Sequence, residues 1–389
     1  MNSRKKLSRQ PVTSVLIKPA GPDCNMACTY CFYLEKAHLF SSSQRHRMTI
    51  DLLETTVKQV LTQGKQEVTF GWQGGEPTLM GLDFFRQAVE FQQQYGQRQI
   101  VGNGLQTNGL LLNQQWAKFL REYNFLVGLS LDGPKHIHNR YRRLRGGQGS
   151  WEIVVDRAQL LLEAGVATNA LVVVNDYSVK FPDEIYDFLK SLGLTYMQFI
   201  PCLERDPKNP QLPTSFSVPA SAYGRFLIRL FERWLADFHH GQPTTSIRYF
   251  ESLFYTYVGQ TPPECTLLKK CGVYVVIEHN GDVFSCDFFV EPAWKLGNIQ
   301  EQKIIDMLNS ARQRKFGQRK ADLPLECRRC RWLIHCRGGC PKERGFLPHP
   351  ERSYFCPAYQ QFLEYAHPSF CKLAKEWQER HHSSPHNSS

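Results

Sequence analysis

Three cysteines within one octapeptide, Cys24-Asn25-Met26-Ala27-Cys28-Thr29-Tyr30-Cys31, follow the apolar run Val15-Leu16-Ile17. A C-x3-C-x2-C loop at the end of a β-prone run brings three thiols to one place, which constrains the fold more than any other feature. Three thiolates can bind three corners of a four-iron cluster and leave one iron open, just as a catalytic metal site differs from a closed structural one. That open iron can hold a second molecule. Structural zinc is the other reading of a short cysteine cluster. It would need a fourth ligand, for which His38 is the only nearby candidate, and the spacing is not a usual zinc one.

The chain holds thirteen cysteines in 389 residues. Its basic N-terminus leads into Ser8-Arg9-Gln10-Pro11 rather than an apolar signal segment, and no run of about 18 apolar residues exists. These features predict a cytoplasmic protein outside the membrane, whose thiols are metal ligands rather than a disulfide framework. With a formal charge of +11, basic residues cluster locally, as in Arg140-Tyr141-Arg142-Arg143-Leu144-Arg145 and Arg312-Gln313-Arg314-Lys315. No nucleic-acid-binding module accompanies it, so no nucleic-acid partner is expected. A solvated basic surface, or a rim that attracts an acidic protein or peptide, accounts for it.

Along the chain, short β-rich runs alternate with longer helical ones, which predicts βα units around a parallel sheet. Strands are expected at Ser14–Lys18, Glu67–Gly71, Arg98–Gln106, Phe125–Ser130, Thr168–Val174 and Thr195–Ile200. Helices are expected at Ile50–Gln63, Asp83–Tyr95, Gln114–Glu122, Ser150–Ala164 and Pro182–Leu192. Six strands suffice for a partial barrel, whose catalytic loops lie beyond the carboxyl ends of the strands. The cysteine loop falls there. So does Trp72-Gln73-Gly74-Gly75-Glu76-Pro77, whose paired glycines allow close approach of the backbone to a ligand. Thr107-Asn108-Gly109 and Ser130-Leu131-Asp132-Gly133-Pro134 follow the next two strands and would otherwise be ordinary turns. Residues 219–258 are helical and aromatic-rich, a pattern of core packing.

A second cysteine field reads Cys265-x5-Cys271-x9-Gly281-x4-Cys286, then Cys327-x2-Cys330-x5-Cys336-x3-Cys340-x15-Cys356. Eight cysteines can close two four-cysteine clusters. Two zinc ribbons are the alternative. His279-Asn280-Gly281 between β-prone runs predicts a tight hairpin. Cys202 and Cys371 remain over, as structural thiols.

The first cysteine loop with its aromatic Tyr30 resembles the signature of the radical S-adenosylmethionine (SAM) superfamily, and the second field resembles a SPASM domain. The full layout, with CNMACTYCFY, WQGGEPT, SLDGP and the Cys286-Asp287-Phe288-Phe289 run, resembles the anaerobic sulfatase-maturating enzymes from about residue 13 to 370. The resemblance implies an α/β fold, a partial (β/α)6 radical SAM barrel followed by a small cysteine-rich SPASM domain with a β-hairpin. The expected layout is a flexible tail over 1–12, the barrel with its closing helices over 13–258, the auxiliary-cluster domain over 259–370 and a tail over 371–389. It implies three [4Fe-4S] clusters. The first would be held by Cys24, Cys28 and Cys31, the second by Cys265, Cys271, Cys286 and Cys340, and the third by Cys327, Cys330, Cys336 and Cys356.

By the same resemblance, Gly74, Gly75 and Glu76 belong to the motif that binds the SAM amino group. Ser130 and Arg142 would touch its ribose or carboxylate, and Tyr30 and Leu203 its adenine. Tyr33 and Gln73 would line the substrate path, and Asp287 would be the proton acceptor. The implied activity is oxidation of a cysteine or serine side chain of a sulfatase, within a C/S-x-P-x-R motif, to Cα-formylglycine. An electron donor such as flavodoxin or ferredoxin would serve it. Another SPASM peptide-modifying enzyme would share every cluster motif, and a non-catalytic iron–sulfur electron carrier or regulator would not require the intact Gly74-Gly75-Glu76-Pro77.

Overall fold

The computed structural model describes residues 9–41 and 44–382. The expected N-terminal tail therefore lies largely outside the described residues, as do residues 383–389 of the C-terminal one. In chain order the elements are β1 (Val12–Lys18), α1 (Ile50–Thr62), β2 (Gly64–Trp72), α2 (Leu82–Tyr95), β3 (Ile100–Thr107), α3 (Gln114–Glu122), β4 (Leu126–Ser130), α4 (Lys135–Tyr141), α5 (Trp151–Glu163), β5 (Thr168–Val174), α6 (Pro182–Ser191) and β6 (Tyr196–Pro201). Then come α7 (Ala220–Ala236), the short strands β7 (Phe238–His239), β8 (Gln242–Pro243) and β9 (Ser246–Ile247), α8 (Arg248–Tyr257), β10 (Val275–Glu278), β11 (Asp282–Phe284), β12 (Lys295–Asn298), α9 (Ile304–Leu308), α10 (Ala311–Ala321), α11 (Leu325–Arg329), α12 (Leu333–Cys336) and α13 (Cys356–His382).

The local chemistry explains these boundaries. Thr49 caps α1 by accepting from the Leu52 N–H, and the helix buries Leu52, Leu53, Thr56, Val57, Val60 and Leu61 at helical spacing. Asn113 caps α3 in the same way through the N–H groups of Gln115 and Trp116. Pro182 opens α6, where a missing N–H costs nothing. Strand β3 begins two residues later than expected, because Arg98 sits at φ 63° in a turn.

The described residues form two compact units that alternate along the chain rather than dividing near residue 258. One comprises the chain up to Ser130, Arg142–Thr168 and Gly272–Gln318. Its strands run in the order β12-β11-β10-β1-β2-β3-β4. Strand β1 is central and parallel to both neighbours, with Lys18 opposite Glu278 on β10 and Ile17 opposite Trp72 on β2. The expected hairpin therefore extends the very sheet that carries the first cysteine loop. Gly281 turns it at φ 83°, a conformation that favours glycine. In the core, Trp72 meets Phe84 and Phe85 edge-on, and Phe85 meets Trp116. Each such pair adds about 0.5–1.5 kcal/mol beyond the area it buries.

The other unit comprises Leu131–Tyr141, Asn169–Cys271 and the chain from Arg319. It holds the parallel strands β5, β6 and β9 and the helices α7, α8 and α13. Phe231 of α7 meets Phe250 of α8 and Phe362 and Phe370 of α13, so the aromatic run is core, as its periodicity predicts. Residues 371–382 are not a tail. They continue α13, which buries Phe370 and Ala374 on its inner face. Among the described residues, no helix is long and apolar enough to cross a membrane.

Candidate active site

Strand β1 delivers the first cysteine loop, and backbone contacts hold that loop open. The Ala27 N–H donates to the Arg143 carbonyl at 2.9 Å, and Met26 bridges Leu144. The Arg145 guanidinium donates to the Cys24 carbonyl at 2.6 and 2.9 Å. Asp23 accepts from the His46 ring at 2.7 Å and from Arg47 at 2.7 Å. Cys24, Cys28 and Cys31 are all half-buried. Burial pushes the Cys24 thiol up to about 12, with Glu76, Cys28 and Cys31 adding to the effect. Three thiols thus lie within one another's field, a cost that a bound cation cluster removes by taking them as thiolates.

Glu76 is buried. One of its carboxylate oxygens accepts from the Thr78 N–H at 3.1 Å, the Thr78 hydroxyl at 2.6 Å and the Thr107 hydroxyl at 2.7 Å. The other accepts from the Asn108 N–H at 2.8 Å. Burial raises its pKa, and the Asn108, Thr78 and Thr107 hydrogen bonds oppose that rise. The Asn108 amide in turn donates to Asn25 at 2.7 Å inside the cysteine loop. Gly75 is needed for a reason that sequence reasoning misses. A Cβ there would lie 2.0 Å from the Asp23 carbonyl oxygen, because the Glu76 N–H donates to that oxygen at 2.7 Å and the Gly75 N–H donates to Gly21 at 2.8 Å. The glycine lets one site loop lie directly on the backbone of the other.

A third group of side chains lies at the ends of β1 and β10. Lys18 is fully buried and forms an ion pair with Asp287. Its ammonium sits 3.7 Å from the Tyr33 ring centroid and 5.4 Å from that of Phe32. The Tyr33 hydroxyl donates to Glu278, and burial, reinforced by the Glu278 charge, pushes the phenol far above its usual range. Asp287 itself is 7% exposed. Neither Lys18 nor Glu278 stood out in the sequence. The available signal was a charged residue closing each of two apolar strands, Val-Leu-Ile-Lys and Val-Val-Ile-Glu, which the parallel register sets side by side.

Other expected site residues are distributed as follows. Arg142 is buried with its guanidinium 5.4 Å from the Tyr30 ring centroid. The Gln73 amide donates to Gln106 at 2.7 Å. Gly74 adopts φ 132°, and Ser130 closes β4. Leu203 is buried in the other unit, two residues beyond β6. Tyr33 has its hydroxyl committed to Glu278, so it braces the charged group rather than offering a free hydroxyl.

In the unit that includes α11 to α13, Cys327, Cys330, Cys336 and Cys356 line one pocket with Trp332 and Tyr359. Burial pushes the Cys336 thiol up to about 11, and Cys330, Cys356 and Cys327 contribute to that rise. Cys265 is likewise raised to about 11 by burial, then by Cys271 and Glu264. Cys265, Cys271 and Cys340 share the field of the buried Lys320. Cys286, the remaining member of the expected set, follows β11 in the first unit. All thirteen cysteines are free thiols. Among the described residues, no three or more histidine, cysteine or acidic side chains converge on a single ion. A polynuclear cluster does not require such convergence, because each thiolate binds its own iron. The donor set therefore fits iron–sulfur clusters.

Comparison with known proteins agrees with this geometry. The Radical SAM superfamily matches residues 19–194, and the SPASM iron-sulfur cluster-binding domain matches 269–331. The chain is 38% identical to a serine-type anaerobic sulfatase-maturating enzyme of Bacteroides thetaiotaomicron, over 93% of this chain and 91% of that protein. It is 39% identical to a cysteine-type enzyme of Clostridium novyi, over 90% and 94% respectively. Among solved structures, anSMEcpe with bound AdoMet and the Cp18Cys peptide superposes with a TM-score of 0.86 at 35% identity, covering 94% of this chain and 99% of that one.

Proposed function

Because this chain belongs to the anaerobic sulfatase-maturating enzymes of the radical SAM superfamily, we propose how its own residues carry out the oxidation of a sulfatase cysteine or serine to Cα-formylglycine. When bound, SAM and the iron–sulfur clusters supply a hydrogen-abstracting 5′-deoxyadenosyl radical and a one-electron sink. Cys24, Cys28 and Cys31 would hold the first cluster. The Glu76 carboxylate would bind the SAM amino group, Arg142 and Ser130 would meet its ribose or carboxylate, and Tyr30 its adenine.

The substrate Cβ loses one hydrogen atom, its thiol or hydroxyl loses one proton, and one electron leaves. The carbon–heteroatom bond thereby becomes double. Asp287 accepts the proton, and Lys18 fixes the carboxylate in place and offsets its charge. Geometry precedes acidity for a general base. Tyr33 and Gln73 border the peptide's approach. The thioaldehyde formed from a cysteine hydrolyses to the aldehyde. The partner is a sulfatase segment bearing C/S-x-P-x-R. A small acidic electron carrier of the flavodoxin or ferredoxin type supplies the reducing electron. A reducing cytoplasm suits a chain whose thirteen cysteines are all free.

The observation that supports this reading most strongly is the pairing of Asp287, covalently next to Cys286, with a fully buried lysine at the end of the strand that carries the first cysteine loop. The test uses the reconstituted, reduced enzyme with SAM and peptides carrying either target residue. A mass change from thiol or hydroxyl to aldehyde, matched by 5′-deoxyadenosine, is expected. Deoxyadenosine with an unchanged peptide would transfer the reading to another peptide modification. Absence of SAM cleavage by the fully loaded protein would end it.

A further inference from the structure

Lys320, on the last turn of α10, is fully buried. Its ammonium donates to the carbonyls of Thr266 at 2.8 Å, Arg337 at 3.4 Å and Gly339. An ammonium has three donors and no acceptor, so three carbonyls satisfy it fully, whereas a neutral amine would leave its lone pair unused. Among the described residues, no carboxylate stands within ion-pairing distance of it. Glu343, the carboxylate in its field, is occupied by Ser353 and Tyr359. Thr266 and Gly339 are chain neighbours of Cys265 and Cys340, and the thiols in the lysine's field are Cys271, Cys340 and Cys265.

Arg344 repeats the arrangement. Its guanidinium donates to the carbonyls of Arg319, Asp322, Lys320 and Gly338 and, among the described residues, to no carboxylate. Its field takes in Cys327, then Glu343, Cys271 and Cys340. Burying a cation is costly unless an opposite charge compensates it. Here Glu343, the carboxylate in the field of both cations, is held by Ser353 and Tyr359 and forms no ion pair with Lys320, whereas the cysteine set beside them becomes anionic on loading with iron.

We propose that Lys320, aided by Arg344, raises the reduction potential of the auxiliary cluster held by Cys265, Cys271 and Cys340, so that this cluster readily takes the electron released in substrate oxidation. Reduction adds one negative charge to the cluster, and a fixed positive charge in a water-excluded site favours the more negative state. Carbonyl oxygens hold the ammonium by its donors, which prevents it from turning toward solvent. The inference rests on reading these three cysteines as ligands of one cluster.

The test is a potentiometric titration followed by electron paramagnetic resonance. It uses reconstituted protein lacking the first cluster through Cys24→Ala, Cys28→Ala and Cys31→Ala, so that only auxiliary signals remain. In that background, Lys320→Met should keep its iron and sulfide, yet at the wild-type midpoint its ratio of reduced to oxidised cluster should fall at least tenfold. For one electron that is a shift of 59 mV downward. Lys320→Arg should remain within threefold of wild type, and Arg344→Gln should shift the same signal downward by less than Lys320→Met.

A purely structural role would lower iron content or melting temperature without moving the potential of the cluster that remains. An unchanged potential in iron-replete Lys320→Met would overturn the proposal. If Lys320→Met cannot hold the cluster, an unchanged potential in Arg344→Gln overturns it instead. Persistence of the titrating signal in Cys265→Ala/Cys340→Ala would refute the ligand assignment on which the inference rests.

Discussion

Replacing Lys18 with methionine tests the charged group at the end of β1 most directly. The side chains of Lys18 and Asp287 are 0% and 10% exposed, so removing the ammonium leaves a carboxylate with almost no water to solvate it. Breaking a buried pair on one side costs about 3–5 kcal/mol. Part of that, up to about 2 kcal/mol, is the desolvated cation–π contact with Tyr33. Asp287→Asn should cost a similar amount by stranding the lysine. The double variant Lys18→Met/Asp287→Asn removes both charges and should therefore fall short of the summed single costs by about 2 kcal/mol, within the range for directly coupled residues. Anaerobic urea unfolding of the four reconstituted proteins, followed by tryptophan fluorescence, supplies the cycle. Strict additivity, or a Lys18→Met cost below about 1 kcal/mol, would refute the argument. The same variant should still cleave SAM while forming about 100-fold less aldehyde per deoxyadenosine, because the proton acceptor is displaced.

Glu76→Gln should weaken SAM binding by about 30-fold, or ~2 kcal/mol, as measured by anaerobic calorimetry. Burial raises the Glu76 pKa above its ordinary 4.5, and an ammonium ligand needs the ionised carboxylate. Wild-type affinity should therefore decline as pH falls through that raised value, at higher pH than for a solvated glutamate, whereas the glutamine variant should show no such decline. Gly75→Ala drives a Cβ to within 2.0 Å of the Asp23 backbone. It should cost ~3 kcal/mol and deplete the first cluster while leaving the auxiliary signals, read by iron analysis and electron paramagnetic resonance. Cys336→Ala, in the four-cysteine pocket, should remove about one third of the iron while SAM cleavage continues.

Much of this protein is legible in its sequence because cysteine spacing and βα periodicity are local properties. The three thiols of the first loop, the eight of the second field and the six expected strands all follow from residue types at short separations, where chain geometry leaves few alternatives. Glu76 could likewise be found from the loop that carries it. What only the tertiary structure decided depends on register and on chain segments distant in sequence. Lys18, Glu278 and Asp287 meet because β10 adds to β1 in parallel, with more than two hundred residues between them. Gly75 is required by the backbone of Asp23 rather than by a ligand alone. Lys320 is notable only once three carbonyls hold it and three thiols lie within its field. A charge has no meaning in a sequence until the fold decides whether water or another charge compensates it, and that decision falls to long-range pairing that no local pattern encodes.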